Sequence, residues 1–253
     1  MSKLPTEKKF IDLSDYGRPA AMVIANALKD TWVTPIHLTI CFILSGAIAI
    51  VSILYGYNWS AALFLILKSI LDAADGELAR VKNTPSYTGR YFDSVSDILL
   101  NALIFLALWH MTNAAIGWTI LSFLCLQLQG TLYNYYYVIL RNRLHGDTTS
   151  RILEIDPPRA LEGESQKTVN LFFGLYTIFY GLFDRAICFL DPKASSGKIT
   201  PKWFMTGVSA YGLGSQLLII GTMLVLGQIN YIIPFFIAYS VFIFVLILVR
   251  RRL

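Results

Sequence analysis

The 253-residue chain is 55% hydrophobic and only 15% charged, with a mean hydropathy of +0.57. Apolar runs of roughly 20 residues recur along it, about the length that crosses a ~30 Å hydrocarbon core, which excludes an ordinary soluble domain and predicts an all-α integral membrane protein. The net charge of +5 is modest and gathers at segment ends, so it is read as topology and headgroup contact and not as a nucleic-acid surface, despite a sequence pI near 9.0.

Met1 to Phe10 is charged and is not followed by a short apolar core with a small-residue cleavage site, so no cleavable signal peptide is expected. From about Leu13 to Leu28 the chain is amphipathic and too polar to span, which suits a helix lying in the membrane interface. Thr34-Pro35 opens a first span to about Leu54, with proline where a helix start accepts it. A second runs from Asn58-Trp59 through Lys68, Asp72 and Asp75 to Arg80, and Asn83-Thr84-Pro85-Ser86 breaks it. The third covers Thr88 to Trp109 and the fourth Trp118 to Arg141, the latter closing on a belt of Tyr133, Tyr135, Tyr136 and Tyr137. Residues 144–167 are polar. An apolar, aromatic-rich stretch from Asn170 to Leu190 follows, interrupted by Asp184-Arg185, and two long spans, Trp203 to Leu226 and Tyr231 to Val249, close the chain.

Charge decides the status of 170–190. With the 81–87 turn in the cytosol, a crossing there would send Lys193, Lys198, Lys202 and Arg250 to Arg252 outside, against the positive-inside rule. The expected architecture is therefore six transmembrane helices plus the N-terminal interfacial helix, with 170–190 interfacial or re-entrant, a seventh span being the alternative. One membrane domain accounts for residues 1–253, comprising an interfacial segment over 1–30 and a polar loop with an interfacial insertion over 144–200. Cys41, Cys125 and Cys188 lie far apart in apolar runs and read as small hydrophobes.

The chemistry gathers between Asp72 and Asp97. A carboxylate in a membrane segment is costly and marks a functional site by default. At 100° per residue Asp72, Asp75, Gly76 and Ala79 share one helix face with Lys68, while Gly89, Asp93, Asp97 and Asn101 line up at intervals of four on the next. The short connection makes the two helices antiparallel neighbours, so the faces can meet. Four bare carboxylates would repel each other. Two Mg²⁺ or Mn²⁺ ions would match their charge, and a two-metal centre suits displacement at phosphorus. Small Gly76, Ala79 and Gly89 permit close approach of a ligand, and Arg80 suits a phosphate. Glu77 points about 140° away from Asp72 on the wheel and is left out.

The spacing D-x2-D-G-x2-A-R-x8-G-x3-D-x3-D resembles the signature of the CDP-alcohol phosphatidyltransferase family, with Asp72, Asp75, Gly76, Ala79, Arg80, Gly89, Asp93 and Asp97 at its specified positions. The resemblance implies a Mg²⁺-dependent membrane transferase of phospholipid biosynthesis, usually homodimeric. It would move a phospho-alcohol from a CDP-linked donor to a second alcohol and release CMP. Carried over, Asp72, Asp75, Asp93 and Asp97 would ligate metal, Asp97 at the metal edge would also act as general base, and Gly76, Ala79, Arg80 and Gly89 would hold the cytidine nucleotide. Many members carry a Pro-Asn pair before the first span; here Ile36 follows Pro35, so no polar contact is expected from that position.

The motif leaves the direction open. CDP-diacylglycerol with a polar alcohol acceptor is the first expectation, and CDP-choline or CDP-ethanolamine with diacylglycerol the alternative. A divalent-cation transporter explains the aspartates but not the fixed glycines, and membrane prenyltransferases separate their aspartate motifs more widely. Lys68 is read as an ion-pair partner of Asp72 or a contact to the acceptor or phosphate, and Arg141 as a topogenic charge or an acceptor contact. His37 is read as an interface residue, and the Phe172 to Phe183 run as an interfacial anchor or dimer surface. A bacterial cytoplasmic membrane with the site facing the cytosol is the expected location.

Overall fold

The computed structural model describes Leu4, residues 9–144 and residues 150–253; most of the charged first ten residues and 145–149 of the polar loop lie outside the described residues. Every regular element among the described residues is helical. A 3-10 turn, Leu13–Asp15, leads into α1 (Arg18–Leu28), followed by α2 (Pro35–Leu54), α3 (Asn58–Val81), α4 (Tyr87–Thr112), α5 (Ile116–Arg143) and α6 (Gln166–Leu190). The chain ends with α7 (Lys202–Ser209), α8 (Leu213–Val225), α9 (Ile229–Tyr239) and α10 (Val241–Arg252).

The boundaries have local causes. Pro35 sits in the first turn of α2, and the Thr34 N–H donates to His37 Nδ1 at 2.9 Å, so His37 closes that turn. Asn83, with φ of 53°, turns the chain after α3. Ser86 then caps α4 by accepting the Gly89 N–H at 2.7 Å. Asn113 ends α4 in the left-handed conformation.

Four stretches are long and apolar enough to cross a membrane: α2, α4, α6 and the continuous α9–α10; α7 and α8 together form a fifth, bent by 45° at residues 209–213. α3 and α5 have 24 and 28 residues, long enough to span, but their charged and polar side chains lower their apolarity. The expected 203–226 span is thus a broken one. In lipid, where apolar burial drives little association, such helices are held by close packing and interhelical hydrogen bonds. Ser122 Oγ donates to the Ile233 carbonyl at 2.9 Å, Gln129 to Phe236 at 3.0 Å, and Gln216 to Leu126 at 2.9 Å. A methyl at Gly221 would come within 3.2 Å of Ala62, so α8 lies almost backbone to backbone on α3.

Helix α6 is unbroken over 25 residues, yet both of its ends attach to one end of the bundle. Just before it, Glu164 accepts the Tyr87 and Thr88 N–H groups at the start of α4. Just after it, Asp191 binds Arg250 near the end of α10 and the Tyr136 hydroxyl on the last third of α5. Arg143 at the end of α5 donates to the Ser195 and Gly197 carbonyls. The aromatic run of α6 turns partly inward, onto α4. Phe173 and Phe183 are buried, Tyr91 of α4 packs on Phe173 and Tyr176, and Phe92 packs on Phe172, while Leu171, Ile178, Leu182 and Phe189 face outward. The reason is spacing: 173, 176, 180, 183 and 187 share one helical face.

The N-terminal segment is built into the fold. Leu13 N–H donates to Ser209 Oγ at 2.9 Å, and a methyl at Gly212 or Gly214 would overlap Ser14, so the 3-10 turn enters the break between α7 and α8. Ala21 and Ala25 of α1 are fully buried against Ala74 and Leu78 of α3.

Candidate metal centre and active site

Helix α3 presents Asp72 and Asp75 three residues apart, on one face, and α4 presents Asp93 opposite them. Each offers a carboxylate oxygen, and those atoms all lie within 4.8 Å of one another. Asp75 is buried and accepts from Thr39 Oγ1 of α2 at 2.7 Å. Asp93 Oδ1 is buried with no hydrogen-bond partner. A buried carboxylate oxygen left unpaired is costly, and an all-oxygen donor set suits a hard divalent cation. The residues present therefore fit such an ion.

Asp97 lies outside that trio. Its Oδ1 is 2.5 Å from Nζ of Lys68, whose side chain is fully buried. The pairing follows from antiparallel register, which sets position 68 level with 97 and position 72 level with 93. Lys68, expected to meet Asp72 on its own helix, makes its hydrogen bond across the helix pair, with Asp72 and Asp93 still close enough to act on its charge.

Arg80 lies over Gly76, where a methyl would sit 3.5 Å from Nη1. Its Nε is 3.3 Å from Glu77 Oε2, and its Nη2 is 2.9 Å from Oε1, close enough for an ion pair though not aligned for a hydrogen bond. Gly89 belongs to the first turn of α4, where a methyl would press on Ser86 Oγ at 3.1 Å, and Ala79 accepts the Thr84 N–H of the turn through its carbonyl. Arg141 is not among the aspartates. It is buried on α5 with its guanidinium over the Tyr137 ring, and Tyr137 lies within electrostatic reach of Asp12, Asp15 and Arg18.

Several residues near the site lie outside the motif. Thr39 supplies from α2 a polar contact three positions beyond Ile36. Tyr180 of α6, stacked on Tyr176 at 5.1 Å, lies within electrostatic reach of Asp93 and Asp97. Glu154 clamps the 150–165 loop to α4 through Arg90 at 2.6 Å and the Tyr91 hydroxyl at 3.0 Å. Glu164 serves the α4 N-terminus; burial opposes its charge, but the Thr88 N–H, the Ser86 hydroxyl and the Leu161 and Tyr87 N–H groups hold its pKa below the usual value. Of these, only the α6 tyrosines carried a sequence signal, through their helical spacing.

The model of one protein family, CDP-alcohol phosphatidyltransferase, matches residues 32–189, well over half of the chain. This chain belongs to that family. It is a membrane transferase of phospholipid biosynthesis, acting on a CDP-alcohol and an alcohol acceptor. No curated protein and no solved structure gave a match. The matched region takes in the aspartate faces of α3 and α4, Thr39 and α6; it excludes the 3-10 turn, α1 and α7 to α10.

Proposed function

We propose that this family member transfers phosphatidyl from CDP-diacylglycerol to a hydroxyl acceptor and releases CMP, using Asp72, Asp75 and Asp93 as ligands for two divalent ions and Asp97 as the base. The observation that carries this is the division of the four aspartates: three converge within 4.8 Å, with a buried oxygen unpaired, and the fourth is tied to Lys68. Bound Mg²⁺ would neutralise the diphosphate and stabilise the attacking and leaving oxygens. Asp97 would take the proton of the acceptor hydroxyl, which attacks the phosphorus distal to cytidine as the bond to the CMP oxygen breaks. Lys68 would hold Asp97 fixed in direction, a role that uses its ammonium more fully than contact with the acceptor. Gly76, Ala79, Arg80 and Gly89 would receive the nucleotide, and Arg141 an anionic part of the acceptor.

In this reading six helices cross, and α6 lies along the cytosolic interface. Support comes from the attachment of both its ends to one end of the bundle, which keeps Lys193, Lys198, Lys202 and the terminal arginines on one side with Arg80, Lys82 and Arg90. The site then opens to the cytosol, where CDP-linked substrates are met, in a bacterial cytoplasmic membrane and as a homodimer.

Purified protein incubated with CDP-diacylglycerol and a panel of alcohols, beside CDP-choline and CDP-ethanolamine with diacylglycerol, should release CMP in the first set. Asp97→Asn should abolish transfer while Mg²⁺ binding stays near its original strength. Near-normal turnover by that variant would remove Asp97 as the base.

A further inference from the structure

We infer that Arg18 of the N-terminal helix is a positioning residue for the nucleotide site, acting through Glu77 on Arg80. The inference rests on the assignment of Arg80 to the nucleotide.

Glu77 points away from Asp72 on the helical wheel, and that same direction takes it to α1. Its Oε1 accepts from Arg18 Nη1 and lies 2.9 Å from Arg80 Nη2, while its Oε2 accepts from Arg80 Nε at 3.3 Å. Asp15, at the end of the 3-10 turn, accepts from the other side of Arg18 through Nε. The four side chains form an alternating line, Asp15, Arg18, Glu77, Arg80, in which each charge has an opposite neighbour. All four are mostly shielded: side-chain exposure is 27% for Arg18, 17% for Asp15, 15% for Glu77 and 16% for Arg80.

An i,i+3 ion pair on one helix contributes little by itself. Glu77 has three rotatable side-chain bonds, and as the sole support of Arg80 it would let the guanidinium wander over Gly76. A second guanidinium, fixed on a separate element, removes that freedom by holding the carboxylate at one oxygen. Binding sites gain affinity from such support because less order has to be imposed when the ligand arrives.

The placement of Arg18 is itself prepared by packing. A methyl at Gly17 would lie 2.8 Å from Ile70 Cγ1 and 3.3 Å from its Cα, so only glycine lets the start of α1 close on α3. One turn on, Ala21 and Ala25 continue the close contact against Ala74 and Leu78. Arg18 also precedes the segment matched by the family, 32–189, so this support comes from a part of the chain outside the family core.

The test uses the full-length protein in detergent with Mg²⁺, CMP as the probe, and both CMP affinity and thermal stability as readouts. Arg18→Gln should weaken CMP binding about tenfold, the low end of the loss seen when outer supporting partners are removed, and Arg18→Lys should keep most of it. Glu77→Gln should weaken it similarly, and the double variant should be no worse than Glu77→Gln alone, because both act through one contact. Gly17→Leu, which lifts α1, should reproduce the Arg18→Gln loss with Arg18 present. Unchanged CMP affinity in Arg18→Gln, or strictly additive losses in the double variant, would overturn the inference. Failure of the unmodified protein to bind CMP at all would instead strike at the nucleotide assignment beneath it.

Discussion

Two of the places where the described residues bury carboxylates are treated in opposite ways. Asp191, at the end of α6, is fully buried and saturated: Arg250 takes Oδ1, Tyr136 donates to Oδ2 at 2.8 Å, and its carbonyl receives the Tyr135 hydroxyl at 3.1 Å. The trio Asp72, Asp75 and Asp93 brings three acids into contact range and, although Thr39 donates to Asp75, leaves a buried oxygen on Asp93 with nothing to accept. The first is closed by the protein's own groups and fastens α6 to α5 and α10. The second keeps more negative charge than Lys68, hydrogen-bonded to Asp97, can offset, and a cation from outside would complete the balance. Burial therefore does not distinguish a working carboxylate from a fastening one; the account of its lone pairs does.

That contrast can be broken by exchange of like substitutions. Asp93→Asn should lower CMP release by about a thousandfold, a few powers of ten being what several kcal/mol of lost transition-state stabilisation amounts to. Its unfolding temperature without metal should hold or rise, because a like-charge contact is relieved, and the stabilisation conferred by added Mg²⁺ should disappear. Asp191→Ala should do the reverse. Leaving Arg250 buried without its partner costs about 3–5 kcal/mol, read as a lower unfolding temperature in detergent, with Mg²⁺ still stabilising whatever remains folded. If the two variants behave alike, the distinction fails.

Smaller effects sharpen it. Thr39→Val removes the side-chain donor to Asp75 and should weaken Mg²⁺ or Mn²⁺ binding by about tenfold, measured by metal titration, with the fold unaltered. Smallest is the acid response of Glu164, whose pKa is held below its ordinary value in the folded protein by the N–H groups of the α4 start. A depressed carboxylate stabilises the fold above the unfolded-state pKa and loses that contribution as pH falls through the folded value. Glu164→Gln should therefore cost about 0.5–1 kcal/mol near neutrality, a helix-cap magnitude, and the difference from wild type should vanish in acid unfolding once pH falls below the depressed folded-state pKa of Glu164.

Much of this was legible in the sequence because it rests on local periodicity. Asp72, Asp75 and Asp93 meet since two helices of known phase are joined by a short turn, and the turn residues Asn83 and Ser86 show where each helix stops. What periodicity does not carry is which side chain reaches across. Lys68 takes Asp97 in place of Asp72 because antiparallel register, set by the length of the 82–86 connection, decides level. Thr39, Arg18 and Glu154 come from other elements and have no spacing relation to the motif. The break at 209–213 was hidden by an apolar composition as suited to one straight span as to two short helices. The inward aromatics of α6 are readable, since Phe173, Tyr176, Tyr180 and Phe183 recur at three and four.

The break between α7 and α8 also bears on how the protein is made. Ser14 fits against Gly212 and Gly214, and Leu13 is held by Ser209, so the seat for the beginning of the chain is formed by residues about 200 positions later. During synthesis the aspartate helices emerge and pair early, while the 3-10 turn has nowhere to lodge until α7 and α8 arrive. A ribosome stalled before residue 200 would carry the catalytic motif complete and α1 able to pack on α3, with only the 3-10 turn unseated. The last fifth of the chain thus completes the seat of the 3-10 turn near its beginning.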